Sequence, residues 1–240
     1  MIKNRFKLWC NYVPVCGSDA SFSIFVDMHK LLTVLLLFLS LAGFTQEREM
    51  ELWNKNQILL KPAGHLLLKA SEKIHYSTVH GGISLKYAEL LVGHKLNTWI
   101  EYGGGYRRSS SMVAPDSWES ENRALLYFDL SEPVSKFNLG FSNRVEYRSF
   151  EHLSDYFRHR QSIKLDFPAI TTWGMRFYLT EESFYKFTGD HTHLARFYAG
   201  VTVLEKKHFN FSSYYALQKS KLDSKWFSSD VVGLNLNISI

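Results

Sequence analysis

Eleven basic side chains share one parity of a run of alternating segments: Lys69, Lys73, Arg107, Arg123, Arg144, Arg148, Arg158, Arg160, Lys164, Arg176 and Arg196. Glu101, Asp129, Glu146, Asp166 and Glu182 accompany them. Two kinds of chemistry follow from such a set. Guanidinium forks and carboxylates can interlock into a network that fills a small lumen, because one arginine satisfies several acceptors. Alternatively, rings of cations can select small anions in a channel or pocket. The network is the preferred reading, since a barrel of ten to twelve strands is barely wider than its own side chains.

Other chemistry is thinner. Gly103-Gly104-Gly105 ahead of Tyr106-Arg107-Arg108 would cradle phosphate only if it opened a helix, and no helical period follows. Glycine there instead lets a strand bend or a lumen side chain approach. Asp190-His191-Thr192-His193, with His80 and His152, could offer imidazoles to a metal. There is no HExxH and no cysteine ligand, so a solvated loop is expected, with no metal and no cofactor. His159 breaks the apolar parity of its segment and would face outward. An acyl hydrolase would need a serine beside it, and without the register no catalytic residue is assigned.

The elements that must position these groups are long strands. Phe137, Leu139, Phe141, Val145 and Tyr147 alternate with Asn138, Gly140, Ser142, Arg144 and Glu146. Period two over a dozen residues means one apolar and one polar face. The pattern places strands at 50–60, 65–76, 83–94, 98–109, 118–131, 136–149, 156–167, 173–185, 192–204, 207–218 and 226–240, although 83–94 alternates poorly. Pro62, Pro115, Pro133 and Pro168 all fall in the connections. Turns such as KPAG, KLNT and PAITT read as tight, and SSSMVAPDS and KSKLDSK as longer polar loops.

The expected fold is therefore all-β: an antiparallel up-and-down transmembrane barrel of about ten to twelve strands. Strand length, an apolar face of Leu, Ile, Val and Phe, and full charges on the other face separate it from a soluble sandwich. Trp53, Trp99, Trp118, Trp173 and Trp226 lie near strand ends, where an aromatic girdle meets the membrane interface. Eleven segments are counted, but single-chain bacterial barrels normally have an even number, so ten or twelve is expected, with twelve preferred.

Composition agrees. With 240 residues, 45% hydrophobic, 15% aromatic and a net charge of +5, the chain is not intrinsically disordered. Two cysteines, Cys10 and Cys16, exclude a disulfide framework. A mean hydropathy of −0.18 excludes a helical membrane bundle but not a barrel. The apolar run Leu31–Phe44 after Met28-His29-Lys30 reads as a cleaved signal peptide over 28–45, with no lipid-bearing cysteine at its end. Residues 1–27 read as an upstream translation artefact, and 46–240 as the outer-membrane barrel domain. Without residues 1–45 the chain keeps 24 Lys+Arg and 21 Asp+Glu, a net +3, and no cysteine.

Several motifs carry a resemblance. They are E-x-x-L-W (Glu49 to Trp53), W-I-E-Y-G-G-G-Y-R (Trp99 to Arg107), R-H-R-Q-S-I-K (Arg158 to Lys164), Y-L-T-E-E-S-F (Tyr178 to Phe184) and R-F-Y-A-G-V (Arg196 to Val201). Together with the closing apolar alternation, they resemble the domain-of-unknown-function family 2490, exported proteins of Bacteroidetes-type bacteria, over 47–240. The resemblance implies location and fold, and brings no catalytic residues. The expectation is an exported outer-membrane barrel without catalysis, structural or passing small solutes and anions. Its partners are outer-membrane lipid and the barrel assembly machinery, with no nucleic acid. The alternatives are a barrel enzyme acting on lipid and a soluble secreted lipocalin-like protein.

Overall fold

The computed structural model describes residues 49–62, 64–115, 117–188, 192–222 and 225–240. The leader expectations, for 1–27 and 28–45, lie outside the described residues. Every element among those described is a strand. They are β1 (Glu49–Leu60), β2 (Leu66–Ser77), β3 (Gly82–Lys95), β4 (Ile100–Ala114), β5 (Ser117–Val134), β6 (Phe137–Phe150), β7 (Tyr156–Asp166), β8 (Arg176–Lys186), β9 (Thr192–Lys206), β10 (Phe209–Leu222) and β11 (Lys225–Ser239). Successive strands pair antiparallel, and the sheet closes on itself into a barrel.

Eleven strands close this barrel, not the preferred twelve. An odd number sends the first and last strands in the same direction, so closure requires one parallel pair. β1 and β11 form it, with pairs running from Glu49↔Ser229 to Leu59↔Ser239. Parallel rungs are slightly weaker per residue. The end of this seam is fastened by two further backbone bonds: Lys61 N–H donates to the Ile240 carbonyl at 3.1 Å, and Ile240 N–H to the Leu59 carbonyl at 2.9 Å.

The first rim carries the start of β1 and the β2–β3 connection; the second carries the end of β1 and the start of β2. The expected contrast between tight and long connections does not hold. Residues 109–114 and Ser117 of SSSMVAPDS lie within β4 and β5, and residues 219–222 and Lys225 of KSKLDSK within β10 and β11. The PAITT segment instead lies in the long connection between Asp166 and Arg176. At the first rim, Asp155 accepts from Phe150 N–H at 2.9 Å and from the Tyr147 hydroxyl at 2.7 Å. These bonds hold its carboxyl below its usual range. Pro133 lies inside β5, not in a connection. β4 begins opposite Leu130, so Pro133 has only β6 beside it and its missing N–H costs no rung.

The outer surface is apolar: Leu90, Val92, Leu126, Phe128, Leu139, Ile163, Leu179 and Phe197 are all exposed. Inside, the lumen is partly filled by two clusters. Trp53, Tyr178, Tyr214, Ala216 and Val231 form one; Leu91, Leu125 and Tyr127 form the other. The second cluster explains the poor alternation of β3. Leu90 faces out and Leu91 faces in, so the strand is apolar on both sides. Tyrosine against glycine recurs across rungs: Tyr127↔Gly103, Tyr178↔Gly200 and Tyr214↔Gly233. A Cβ at Gly233 would lie 2.0 Å from the Tyr214 ring, so the bare backbone is what lets the ring lie flat.

The β5–β6 hairpin turns at Ser135, whose φ of 58° is left-handed. An L side chain there costs roughly 1–2 kcal/mol, which glycine avoids. Ser135→Gly is therefore expected to stabilise the barrel by about 1 kcal/mol, offset slightly by chain entropy. Urea unfolding of the folded protein would check this.

Candidate functional site

Four carboxylates organise the lumen cations. Glu89, on β3, accepts from Arg107 Nε at 2.9 Å and Arg144 Nη1 at 3.0 Å. Glu121, on β5, takes Arg123 Nε at 2.8 Å and both Arg148 Nε, at 2.6 Å, and Nη2, at 2.7 Å. Glu146, on β6 and fully buried, takes Arg158 Nε at 2.8 Å and Arg123 Nη1 at 3.4 Å. Glu182, on β8, pairs with Arg160, accepts from Tyr198 at 2.9 Å and lies 3.7 Å from Arg196. The alternating backbone supplies this arrangement. Inward residues of neighbouring strands stand side by side, so Glu146 meets Arg158 directly across a rung.

Aromatic faces complete the network. The guanidiniums of Arg158, Arg196 and Arg160 lie 4.9, 5.0 and 5.5 Å from the ring centre of buried Phe184. Arg107 lies 4.0 Å from Tyr87. Such contacts hold cations by the ring quadrupole without neutralising them.

These side chains surround a cavity of about 410 Å³ that runs from mid-barrel toward the first rim. Ten Lys and Arg residues line it against one lining carboxylate, Glu89. Lys55 and Lys73 have no salt bridge among the described residues; Lys73 Nζ instead sits 3.6 Å over the Trp53 ring. At the edge, His193 Nδ1 is buried and has no hydrogen-bond partner among the described residues.

Of the sixteen charges read from the sequence, ten gather at this cavity: Lys73, Arg107, Arg123, Arg144, Arg148, Arg158, Arg160 and Arg196, with Glu146 and Glu182. The other six lie toward the second rim. Lys69 pairs with Glu101, which also accepts from Tyr127 at 2.8 Å. Lys164 pairs with Asp166 at 2.8 Å, Asp129 takes the Ser142 hydroxyl, and Arg176 pairs with Glu205. Glu89 and Glu121 are not among the charges that the sequence singles out. Glu121 shares the parity of Arg123 and could have been found; Glu89 sits on the strand whose alternation fails.

Trp53 is a correction. It is 2% exposed and points into the barrel, where its Nε1 donates to Glu51 at 2.7 Å and its ring stacks on His75 at 4.1 Å. It shares the inward parity of Glu51 and lies four residues inside β1, so it is no girdle residue. Trp99, Trp173 and Trp226 are exposed, the first two at the second rim and the last at the first. Trp118, also at the first rim, is half-buried under Lys86.

The remaining candidates separate clearly. No group of three or more His, Cys, Asp or Glu among the described residues could hold a metal ion. Asp190 and His191 lie outside the described residues. His159 faces outward, with Nε2 3.0 Å from Asn143 Oδ1. Ser183, on the next strand, stands opposite Gln161 and not opposite His159.

A family model described as "Protein of unknown function (DUF2490)" matches residues 50–228. The chain belongs to that family. In this DUF2490 protein the match takes in β1 to β10 and the start of β11, and with them every charged residue of the cavity. Most of β11, including Val231 and Gly233, lies beyond it. A search of curated proteins gives no match.

Proposed function

We propose that this DUF2490 protein is an exported outer-membrane barrel that takes small anionic solutes into a basic, blind vestibule, and that it has no catalytic role. The observation that carries the reading is the charge around the cavity. Ten cations face it, and the four carboxylates that brace them cannot neutralise them all. Buried at the edge, His193 Nδ1 has no hydrogen-bond partner among the described residues, and a bound anion or its hydroxyl would supply one. A cavity of this size suits a small ligand. The tyrosine-filled remainder of the lumen supports uptake into a pocket over free conduction.

Two measurements test this. Calorimetric titration with inorganic pyrophosphate is expected to give saturable binding that Lys73→Met with Arg196→Met weakens at least tenfold. Planar-bilayer recording is expected to give no discrete conductance. Binding that ignores both substitutions would remove the vestibule, and an open anion-selective current would replace it with a channel.

Location rests on the apolar exterior. Leu126 is 69% exposed in the middle of β5. In a bilayer, Leu126→Arg is expected to cost about 2–4 kcal/mol. For a barrel in water the same change would stay within about 0.5 kcal/mol. Unfolding from lipid vesicles, together with heat-modifiable migration in SDS and recovery in the outer-membrane fraction, separates the two.

A further inference from the structure

One rung of inward residues is distinctive. From β10 round to β4 the register aligns Ser212, Asn235, Lys55, Lys73, Tyr87 and Ser109. None of the six is a carboxylate, and the two lysines stand directly opposite each other on β1 and β2. Like charges so placed oppose strand pairing, since their Cβ atoms are only about 4.5–5.5 Å apart. The carboxylates around the cavity are already engaged. Glu89, one step along β3 from Tyr87, is held by Arg107 and Arg144, and Glu182 by Arg160 and Tyr198. Lys73 Nζ lies 3.6 Å from the centre of the Trp53 ring and the Arg196 guanidinium 4.8 Å, so that ring brings a third cation to the pair.

The cations left over differ in kind from those in use. Arginine forks, which match carboxylates, are braced on Glu89, Glu121, Glu146 and Glu182. The pair without a salt bridge consists of ammoniums, which bind phosphate as compact point charges. Two such charges on one rung call for a dianion. A phosphate monoester carries about −1.5 to −2 charges near neutral pH, whereas a carboxylate would leave one lysine uncompensated.

The rest of the cavity selects what the phosphoryl group is attached to. Its aromatic rings are taken. Phe184 carries Arg158, Arg160 and Arg196, Tyr87 carries Arg107, Tyr156 carries Arg148 and Lys186, and Tyr198 packs edge-on against Tyr214. An aryl group would have to displace one of these to stack. Neutral hydrogen-bonding groups are offered instead: Ser220 lines the cavity, and His193 Nδ1 is buried at its edge without a partner among the described residues. These suit a hydroxylated body.

We propose that the vestibule takes phosphate monoesters of sugars or polyols, with the phosphoryl group on Lys55, Lys73 and Arg196 and a ligand hydroxyl on His193 Nδ1. This rests on the anion-vestibule reading and narrows its ligand class.

Calorimetric titration of the purified protein tests it with glucose 6-phosphate, glucuronate, phenyl phosphate and inorganic phosphate. Glucose 6-phosphate is expected to bind at least tenfold tighter than glucuronate, and several-fold tighter than either phenyl phosphate or inorganic phosphate. Lys55→Met is expected to weaken glucose 6-phosphate and inorganic phosphate at least tenfold each. His193→Phe is expected to bring glucose 6-phosphate down to the affinity of inorganic phosphate and to leave inorganic phosphate unchanged. The comparison of ligands on wild-type protein needs no variant to fold. Glucuronate or phenyl phosphate binding as tightly as glucose 6-phosphate would overturn the ligand class and leave the vestibule standing. Phosphate affinity indifferent to Lys55→Met, in a variant that keeps the wild-type circular dichroism, would overturn the lysine subsite in the same way. If neither pyrophosphate nor any of these four ligands binds wild-type protein, the vestibule falls as well.

Discussion

Glu146→Leu is expected to destabilise the barrel by about 3–5 kcal/mol, the cost of leaving a buried charge without its counter-ion. Glu146 is 0% exposed and is the carboxylate that Arg158 binds; Arg123, its second partner, keeps Glu121. The single substitution therefore strands Arg158 among Arg148, Phe184 and the lumen wall. Urea unfolding followed by tryptophan fluorescence gives the loss, and a double-mutant cycle gives its cause. Glu146→Leu combined with Arg158→Met removes both charges and fills the space with apolar atoms, so it should be distinctly less destabilised than Glu146→Leu alone. A double variant as unstable as the sum of the two singles would show that packing, not the stranded charge, carries the effect.

Gly105→Ala is the second large effect, from backbone contact. A Cβ at Gly105 would meet the Leu90 carbonyl oxygen at 2.1 Å and Leu91 Cδ2 at 2.6 Å. The oxygen belongs to the neighbouring strand, so relief requires the β3–β4 ladder to part. Overpacking of this kind costs about 1–3 kcal/mol and occasionally more, and here the higher end is expected. Gly140 is the control, since its added Cβ meets Lys164 Cβ at 3.5 Å, an ordinary contact. Gly140→Ala should change stability by less than about 1 kcal/mol, since alanine also fits a strand better than glycine. Similar losses at the two positions would refute a role for backbone clash.

Strand positions were legible because alternation is a local property. Alternation predicts a strand at 156–167, β7 spans Tyr156–Asp166, and its arginines share a face for the same reason. What failed depended on neighbours. Nearness to a strand end predicts Trp53 outward, whereas its place is set by the inward parity it shares with Glu51 and by His75, which the register brings alongside. Glu89 was missed because Leu91 packs inside on Tyr127, and an apolar lumen contact erases the contrast that parity depends on. The pairing of each arginine with its carboxylate, and the choice of the parallel seam over a twelfth strand, are likewise relations between distant segments that no window of sequence contains.

The parallel seam also fixes sidedness. In a barrel closed by antiparallel strands alone, the first and last strands meet head to tail, and both chain ends leave from one rim. Here β1 starts at the first rim and β11 finishes at the second, so Glu49 and Ile240 lie at opposite mouths of the lumen. Set in a membrane, the barrel would present whatever adjoins Glu49 to one compartment and its Ile240 end to the other.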